Sequence, residues 1–149
     1  MKIIEYFNTD NKEHWLSQLK ECEWGAGKYL YQLLTEHKLK HLVGEASKVL
    51  MLVDEGKLVS FCTFAEKDDI QPTELTPWIG FVYTYPEYRG NHCAGKLLSH
   101  AESLAKEAGI KNIYISTNHD GLYEKYGYEF YQIMKDVGGE DSRVYVKYL

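Results

Sequence analysis

Residues Thr76–Ile110 read TPWIGFVYTYPEYRGNHCAGKLLSHAESLAKEAGI. A strand is predicted over Trp78–Tyr85, because aromatic and β-branched residues dominate there, and Pro86 ends it. A helix is predicted over Ala94–Ala108, where apolar residues recur at helical spacing and Gly109 ends the run. This order of strand, loop and helix places the free N–H groups of a helix N-terminus beside the end of a strand.

The loop between this strand and this helix has the composition of an anion-binding turn. Small residues at Gly90, Ala94 and Gly95 let a pyrophosphate approach the backbone closely, and the helix N-terminus adds a partial positive charge. Arg89 and Lys96 supply mobile positive side chains. The same composition fits a strand-to-helix connection that binds no ligand, so the loop alone leaves both interpretations open.

A second phosphate-binding pattern also matches this segment. Gly90 to Lys96 fits GxxxxGK of the P-loop, which nucleotide hydrolases use. In that loop a Ser or Thr follows the lysine and holds Mg²⁺ through its hydroxyl, whereas Leu97 follows here. The nearest candidate acid, Asp54, comes before the loop instead of after it. These departures disfavour a nucleotide hydrolase.

The other predicted elements give a mixed α/β chain. Helices are expected at Asn11–Cys22, Lys28–Leu39 and Gly121–Tyr126, and strands at Met1–Phe7, Val49–Val53, Leu58–Phe64, Asn112–Thr117, Tyr128–Met134 and Arg143–Tyr148. Turn residues at Asp54–Lys57 predict a hairpin, and Gly127 is a suitable left-handed helix end. Several hairpins argue against a purely parallel sheet. One domain is expected over residues 1–149.

The composition is that of an ordinary globular protein. With 44% hydrophobic and 26% charged residues, the 149-residue chain can bury a sizeable core. A net charge of −5 disfavours nucleic acid as a partner. Cys22, Cys62 and Cys93 form no paired motif, which indicates free thiols in a reducing compartment. No apolar leader or bilayer-length apolar run occurs, so a cytoplasmic protein without membrane association is expected.

Two blocks of the sequence together resemble the diagnostic blocks of GNAT acetyltransferases. The first is Thr76–Ile110 with its Pro-x-Tyr-Arg-Gly turn; the second, Asn112–Phe130, reads NIYISTNHDGLYEKYGYEF. The resemblance implies the GNAT acyl-CoA N-acyltransferase fold, a central mixed sheet flanked by helices. It also implies acetyl-CoA as co-substrate, no metal, and direct transfer of the acetyl group to a primary amine of a small acceptor. A non-catalytic acyl-CoA-binding sensor of the same fold is the alternative.

The resemblance also assigns residues to the site. The strand backbone is expected along the thioester and the pantetheine arm, with an N–H at Tyr83 or Thr84 stabilising the oxyanion. The loop is expected to wrap the pyrophosphate, and Tyr123 to protonate the leaving thiolate. The expected contacts with acetyl-CoA are Val82, Tyr83, Thr84, Arg89, Gly90, Asn91, His92, Cys93, Ala94, Gly95, Lys96, Asn118 and Tyr123.

Three positions depart from the family's pattern. His92 stands where the first glycine of the phosphate loop is usual, and it is expected to turn its ring outward while its N–H serves the phosphate. Ser116 stands where some members have an asparagine. Trp78 stands where others have a general-base glutamate, and an indole cannot accept a proton.

The missing glutamate leaves the general base open. A lysine-like amine has a pKa near ~10.4, so a base that removes its proton is useful at neutral pH. His119 is the first candidate because its unperturbed pKa suits the task. The remaining candidates are carboxylates that could equally be solvated or cap a helix, namely Glu66, Asp68, Asp69 and Asp120. Together with Glu74, the acids of the 66–76 loop favour a cationic acceptor. The sequence is compatible with a homodimer.

Overall fold

The computed structural model describes all residues, Met1–Leu149. Its strands are β1 Lys2–Glu5, β2 Lys48–Asp54, β3 Lys57–Ala65, β4 Trp78–Thr84, β5 Asn112–Thr117, β6 Glu129–Lys135 and β7 Asp141–Tyr148. Its helices are α1 Lys12–Lys20, α2 Gly25–Thr35, α3 Leu39–Val43 and α4 Cys93–Glu107, with 3₁₀ turns at Tyr6–Asn8, Pro86–Tyr88 and Tyr123–Tyr126. The strands form one sheet in the order β1-β2-β3-β4-β5-β7-β6. This mixed sheet flanked by helices confirms the predicted fold class.

Helices cover both faces of the sheet. On one face α4 buries Leu97 and Ala101 against Val59 and Ile79. On the other face the first three helices bury a second apolar cluster, which includes Leu30 of α2 and extends to Phe61 of β3. Each face therefore has its own dry core, and these cores fix the position of β4 between them.

The hairpin between β2 and β3 forms as the sequence predicts. Its two connecting residues, Glu55 and Gly56, have φ values of 48° and 80°. Left-handed conformations at both positions make the tight turn whose twist matches that of the flanking strands. The hairpin leads the chain into the loop 66–77, which returns to the sheet at β4.

The sheet opens between β4 and β5. These two strands run parallel and pair only at Trp78 with Tyr114 and at Ile79 with Ile115. All other neighbouring strands are antiparallel. A parallel pair needs a crossover connection, which α4 supplies. Beyond Ile79 and Ile115 the two strands form no ladder pairs, so a cleft begins at the point where α4 also starts.

A β-bulge interrupts β4 beside this cleft. Gly80 pairs with Thr63 and Tyr83 pairs with Phe61, so two residues of β4 oppose one of β3. One of the two, Phe81, has a φ of 51°, which is rare for an aromatic residue. A bulge leaves one residue out of the ladder and turns its side chain.

Some predicted boundaries need correction. The helix predicted over Lys28–Leu39 begins at Gly25 and ends at Thr35, and His37 with a φ of 56° separates it from α3. The two-turn helix predicted over Gly121–Tyr126 is a single 3₁₀ turn that starts at Tyr123. Gly127 ends that turn with a φ of 90°, as its type predicts. None of the helices is both long enough and apolar enough to cross a membrane.

Candidate active site

A cavity of about 680 Å³ lies where β4 and β5 separate. Its charged lining residues are divided between two ends. Arg89 is the one cation, while Asp68, Asp69 and Asp136 are the acids. Because Arg89 precedes α4 and the adjacent aspartates follow β3, the cavity has a cationic end beside the helix and an acidic end beside the loop 66–77.

The N-terminus of α4 supplies unpaired N–H groups at the cationic end. The first helical bond runs from the Lys96 N–H to the His92 carbonyl, at 3.1 Å. The preceding N–H groups, of Cys93, Ala94 and Gly95, therefore have no helical acceptor, and no side chain caps them. Ala94 lines the cavity. Such a helix end favours a negatively charged group.

Arg89 is held at the same end by β4. Its Nε donates to the Thr84 carbonyl at 3.0 Å, and its guanidinium lies 5.4 Å from the centroid of the Tyr83 ring. The side chain is exposed, so its remaining N–H groups are free to meet an anion.

The other residues expected to contact the pyrophosphate differ in their exposure and in whether they line the cavity. Gly90, Asn91, His92 and Lys96 are exposed and do not line the cavity. The buried Cys93 thiol points away from solvent, 3.7 Å from the Tyr88 carbonyl, so only the backbone of Cys93 is available.

His92 and Gly95 show how the loop departs from an all-glycine turn. His92 takes the left-handed conformation, with a φ of 57°, that a glycine would adopt easily. Its exposed ring agrees with the outward orientation expected from the sequence. Gly95 is small for a packing reason, because a Cβ there would lie 2.7 Å from Cε1 of Tyr126.

The second half of β4 runs along the cavity. Val82, Tyr83 and Thr84 all line it, as do Ser116 and Asn118 on the β5 side. The Tyr83 carbonyl is occupied by the Ser60 hydroxyl at 2.7 Å, and the Ser116 hydroxyl lies 2.7 Å from that of Ser142. Ser116 is therefore tied to β7, whereas Asn118 is exposed beside the opening.

Tyr123 lies deep in the cavity lining and is 5% exposed. Burial raises the pKa of its hydroxyl, and the nearby Cys62 thiol adds to the effect. The hydroxyl is thus protonated throughout the neutral range. Other buried tyrosines use their hydroxyls within the fold, as Tyr128 does toward Glu102 at 2.9 Å, but the Tyr123 side chain faces the cavity.

Asp68 occupies the acidic end against the backbone of β4. It follows β3 and lies beside Gly80, where an added Cβ would overlap the Asp68 carboxylate. Burial, and after it the negative charge of Asp69, raise the pKa of Asp68 to about 8. Asp69 Oδ1 is itself buried without a hydrogen-bond partner. Asp68 therefore retains its proton near neutral pH.

The other candidate bases are less well positioned. His119 lines the cavity but is exposed at its rim. Asp120 is exposed and pairs with Arg143 at 3.6 Å. Glu66 lies outside the cavity and accepts the Ala46 N–H at 3.0 Å. Trp78 is fully buried, and its indole N–H donates to the Leu75 carbonyl.

Sequence reasoning alone did not single out Asp68 from its neighbours. The signal available was Gly80, since a glycine within an apolar strand marks a close approach by another group. It also missed an apolar surface at the acidic end, formed by Tyr29, Leu42 and Phe81. No group of three or more His, Cys, Asp or Glu side chains is arranged to hold a metal ion.

A helix end with unpaired N–H groups thus lies beside a split pair of parallel strands. The sequence model of the acetyltransferase (GNAT) family matches residues 8–128. The chain belongs to the GNAT family. No curated protein sequence matches it significantly.

Solved GNAT structures share the fold at low sequence identity. An aminoglycoside 6'-N-acetyltransferase from Enterococcus faecium is 17% identical, with a TM-score of 0.69 over 99% of this chain and 97% of that chain. A GNAT acetyltransferase from Elizabethkingia anophelis with acetyl-CoA bound is 16% identical, with a TM-score of 0.68 and the same coverage. An acetyltransferase from Streptococcus agalactiae is 21% identical, with a TM-score of 0.66 over 99% and 98%. These likenesses extend the GNAT assignment to nearly the whole chain at the level of fold.

Proposed function

We propose that this GNAT protein transfers the acetyl group of acetyl-CoA to a primary amine of a small molecule, directly and within a ternary complex. The observation that carries the proposal is the position of Asp68. A carboxyl group whose pKa is raised to about 8 lies beside Gly80, in a cavity whose opposite end suits a phosphate. An anion site and a strong carboxylate base in one cleft are the requirements of this reaction.

The cationic end fits the pyrophosphate of acetyl-CoA. Three unpaired N–H groups at the start of α4 and the Arg89 guanidinium provide donors and positive charge there. Ala94 adds no bulk between the helix end and the ligand. The pantetheine arm would then follow Val82, Tyr83 and Thr84, which line the route from the helix to the acidic end. Bound acetyl-CoA supplies the activated acetyl group.

Asp68 is our proposed general base, ahead of His119. An ordinary carboxylate, with a pKa near ~3.9, is a weak acceptor for the proton of an alkylammonium near ~10.4. Raising the Asp68 pKa to about 8 narrows that gap and makes the proton transfer less unfavourable. Asp68 would take the proton from the amine as its nitrogen bonds to the acetyl carbon, and would later release it to solvent.

Tyr123 and the bulge of β4 complete the proposed machinery. The thioester carbon–sulfur bond breaks as the amide forms; Tyr123 would give its phenolic proton to the leaving sulfur and would regain a proton from solvent. Because burial raises the pKa of Tyr123, the expected effect of this acid is modest. A backbone N–H near the bulge, at Tyr83 or Thr84 as the family resemblance implies, would donate to the carbonyl oxygen as charge develops on it.

The non-catalytic sensor alternative rests on Trp78, which stands where other family members have a glutamate. Asp68 weakens that argument, because a carboxylate reaches β4 from the preceding loop, beside Gly80 and two residues beyond Trp78. A base is therefore available without the glutamate.

The test is CoA release from acetyl-CoA with a panel of amines, comparing the wild type with Asp68→Asn. We expect kcat/KM of the wild type to rise with pH through about 8, because Asp68 is protonated and inactive as a base below its pKa. Asp68→Asn should lose about 10²-fold or more in kcat with little change in the KM of acetyl-CoA.

Asp69→Asn is the matched control. It removes the neighbouring charge while it keeps the base, so the rise in kcat/KM should move to lower pH with turnover retained. Full turnover of Asp68→Asn across neutral pH would contradict the proposed base. Absence of CoA release from the wild type with every amine would favour the sensor.

A further inference from the structure

We infer that the acceptor is an arylalkylamine, that is, a molecule with one ammonium group and a flat apolar body. This inference rests on the proposed acetyl transfer. The inference comes from the acidic end of the cavity, beyond the position proposed for the thioester. The acidic end has an acidic floor, Asp68 and Asp69, and an apolar wall, which we define as Tyr29, Leu42 and Phe81.

The apolar wall is assembled from separate elements. Tyr29 belongs to α2, Leu42 to α3 and Phe81 to β4, and all three line the same cavity. Tyr29 is 47% exposed and Leu42 is 36% exposed. Neither is needed to cover the core, because α2 buries Leu30 and its neighbours, and α3 buries Leu39 and Val43. Exposed apolar side chains that converge on a cavity mark a surface for an apolar ligand.

The aromatic members of the wall are oriented by their surroundings. The Phe81 and Tyr29 centroids are 6.4 Å apart with planes at 38°. Phe81 reaches this position through the strained backbone of the bulge. Strain of this kind persists where the position of a side chain is functionally useful. The rings offer flat surfaces against which another ring can pack.

The acidic floor suits one ammonium group. Asp68 and Asp69 are adjacent in sequence and share one end of the cavity, where Asp69 Oδ1 has no partner. The third acid, Asp136, is committed to its own turn, because its Oδ1 accepts the N–H groups of Gly138 and Glu140 at 2.9 and 3.0 Å. A second ammonium group of a polycation would therefore find only the turn-bound Asp136 as a further carboxylate in the cavity lining.

The size of the cavity limits the apolar body. The volume of about 680 Å³ must hold the pantetheine arm as well as the acceptor. An amine with one or two rings fits such a space, whereas an aminosugar antibiotic would extend past the apolar wall with its charged groups. The inferred acceptor therefore differs in chemistry from the aminoglycosides named for the structural relative from Enterococcus faecium.

The experiment compares four acceptors with the full chain at saturating acetyl-CoA: phenethylamine, butylamine, spermidine and kanamycin. We expect kcat/KM for phenethylamine to exceed that for spermidine and kanamycin by about tenfold or more, because only its ring can use the apolar wall. Butylamine, which has the same charge and no ring, should fall between them.

The double variant Tyr29→Ser with Leu42→Ser tests the wall itself. Both side chains are exposed, so the fold should be retained, and the KM of phenethylamine should rise about fivefold or more. The KM of acetyl-CoA should not change. Tyr148→Ser is the matched control, because Tyr148 is 60% exposed on β7 and lies outside the cavity.

Preference for spermidine or kanamycin, or an unchanged phenethylamine KM in the double variant, would overturn the arylalkylamine inference and leave acetyl transfer standing. Failure of all four amines to release CoA would overturn the proposed function and the inference together.

Discussion

In the middle of β4, Gly80 leaves a space that the Asp68 carboxylate fills. Its φ lies outside the left-handed region, so the backbone itself does not require glycine there. The requirement comes from Asp68, whose carboxylate would overlap a Cβ at this position. One missing methyl group therefore sets where the proposed base can lie.

Gly80→Ala should thus lower the rate of catalysis while the protein still folds. The overlapping atoms are the far end of a flexible side chain, so Asp68 can rotate away and the fold should survive. Displacing a base by this much should lower kcat about tenfold or more, with the KM of acetyl-CoA unchanged. Steady-state kinetics and circular dichroism would measure both effects.

Gly25→Ala provides the matched glycine control for this prediction. Gly25 starts α2, has no atom within 4 Å of an added Cβ, and has a φ outside the left-handed region. Its activity should equal that of the wild type. Normal kcat in Gly80→Ala would mean that the position of Asp68 beside β4 is not needed for turnover.

At the level of elements, α4 carries the expected phosphate contacts. Ala94 lines the cavity in the first turn of this helix, where N–H groups lack acceptors. Ala94→Glu would place bulk and a negative charge against a bound pyrophosphate. Affinity for acetyl-CoA should fall by about tenfold or more, equivalent to ~1.4 kcal/mol, while the circular dichroism spectrum stays native.

A charge control for this prediction lies on the same helix. Ser99 is exposed on α4 and lies outside the cavity, so Ser99→Glu adds the same charge without obstructing the ligand. Its affinity for acetyl-CoA, measured by calorimetry, should remain that of the wild type. Equal affinities for the Ala94 and Ser99 variants would show that the phosphates bind elsewhere.

The elements were predictable where local chemistry determines them. The β2–β3 hairpin follows from Asp54–Lys57, and α4 follows from its apolar spacing. The break between α2 and α3 was not predictable from the sequence. It depends on His37, which adopts a left-handed conformation that a residue other than glycine rarely takes. The short turn at Tyr123 likewise depends on packing against Tyr128, with ring centroids 6.2 Å apart.

The site, too, was predictable only where a local segment of the sequence determines it. The strand and loop of the cationic end lie within one continuous segment, so a sequence motif could assign them. The acidic end depends on the register that brings Gly80 opposite Thr63 and on the path of the loop 66–77. Neither is encoded in a local pattern, so Asp68 could not be separated from Asp69 and Glu66 by sequence alone.

For the whole molecule, acetyl-CoA should act as a stabilising ligand. A ligand that binds only the folded state stabilises it by about 2.7 kcal/mol at ~100-fold excess over Kd. For a chain of this length that corresponds to a rise in Tm of roughly 5–10 °C. Differential scanning fluorimetry would measure it, and Ala94→Glu should show a smaller shift. An unchanged Tm at millimolar acetyl-CoA would contradict the cofactor assignment.

The two ends of the cavity come from different stretches of the chain. The apolar wall and the acidic floor lie within residues 29–81, whereas the cationic end lies within residues 82–126. Under the proposed function, substitutions in the earlier stretch should therefore change which amine is accepted without altering the affinity for acetyl-CoA. With such a division, single substitutions during evolution would change the acceptor, because each variant protein would still bind the same acetyl donor.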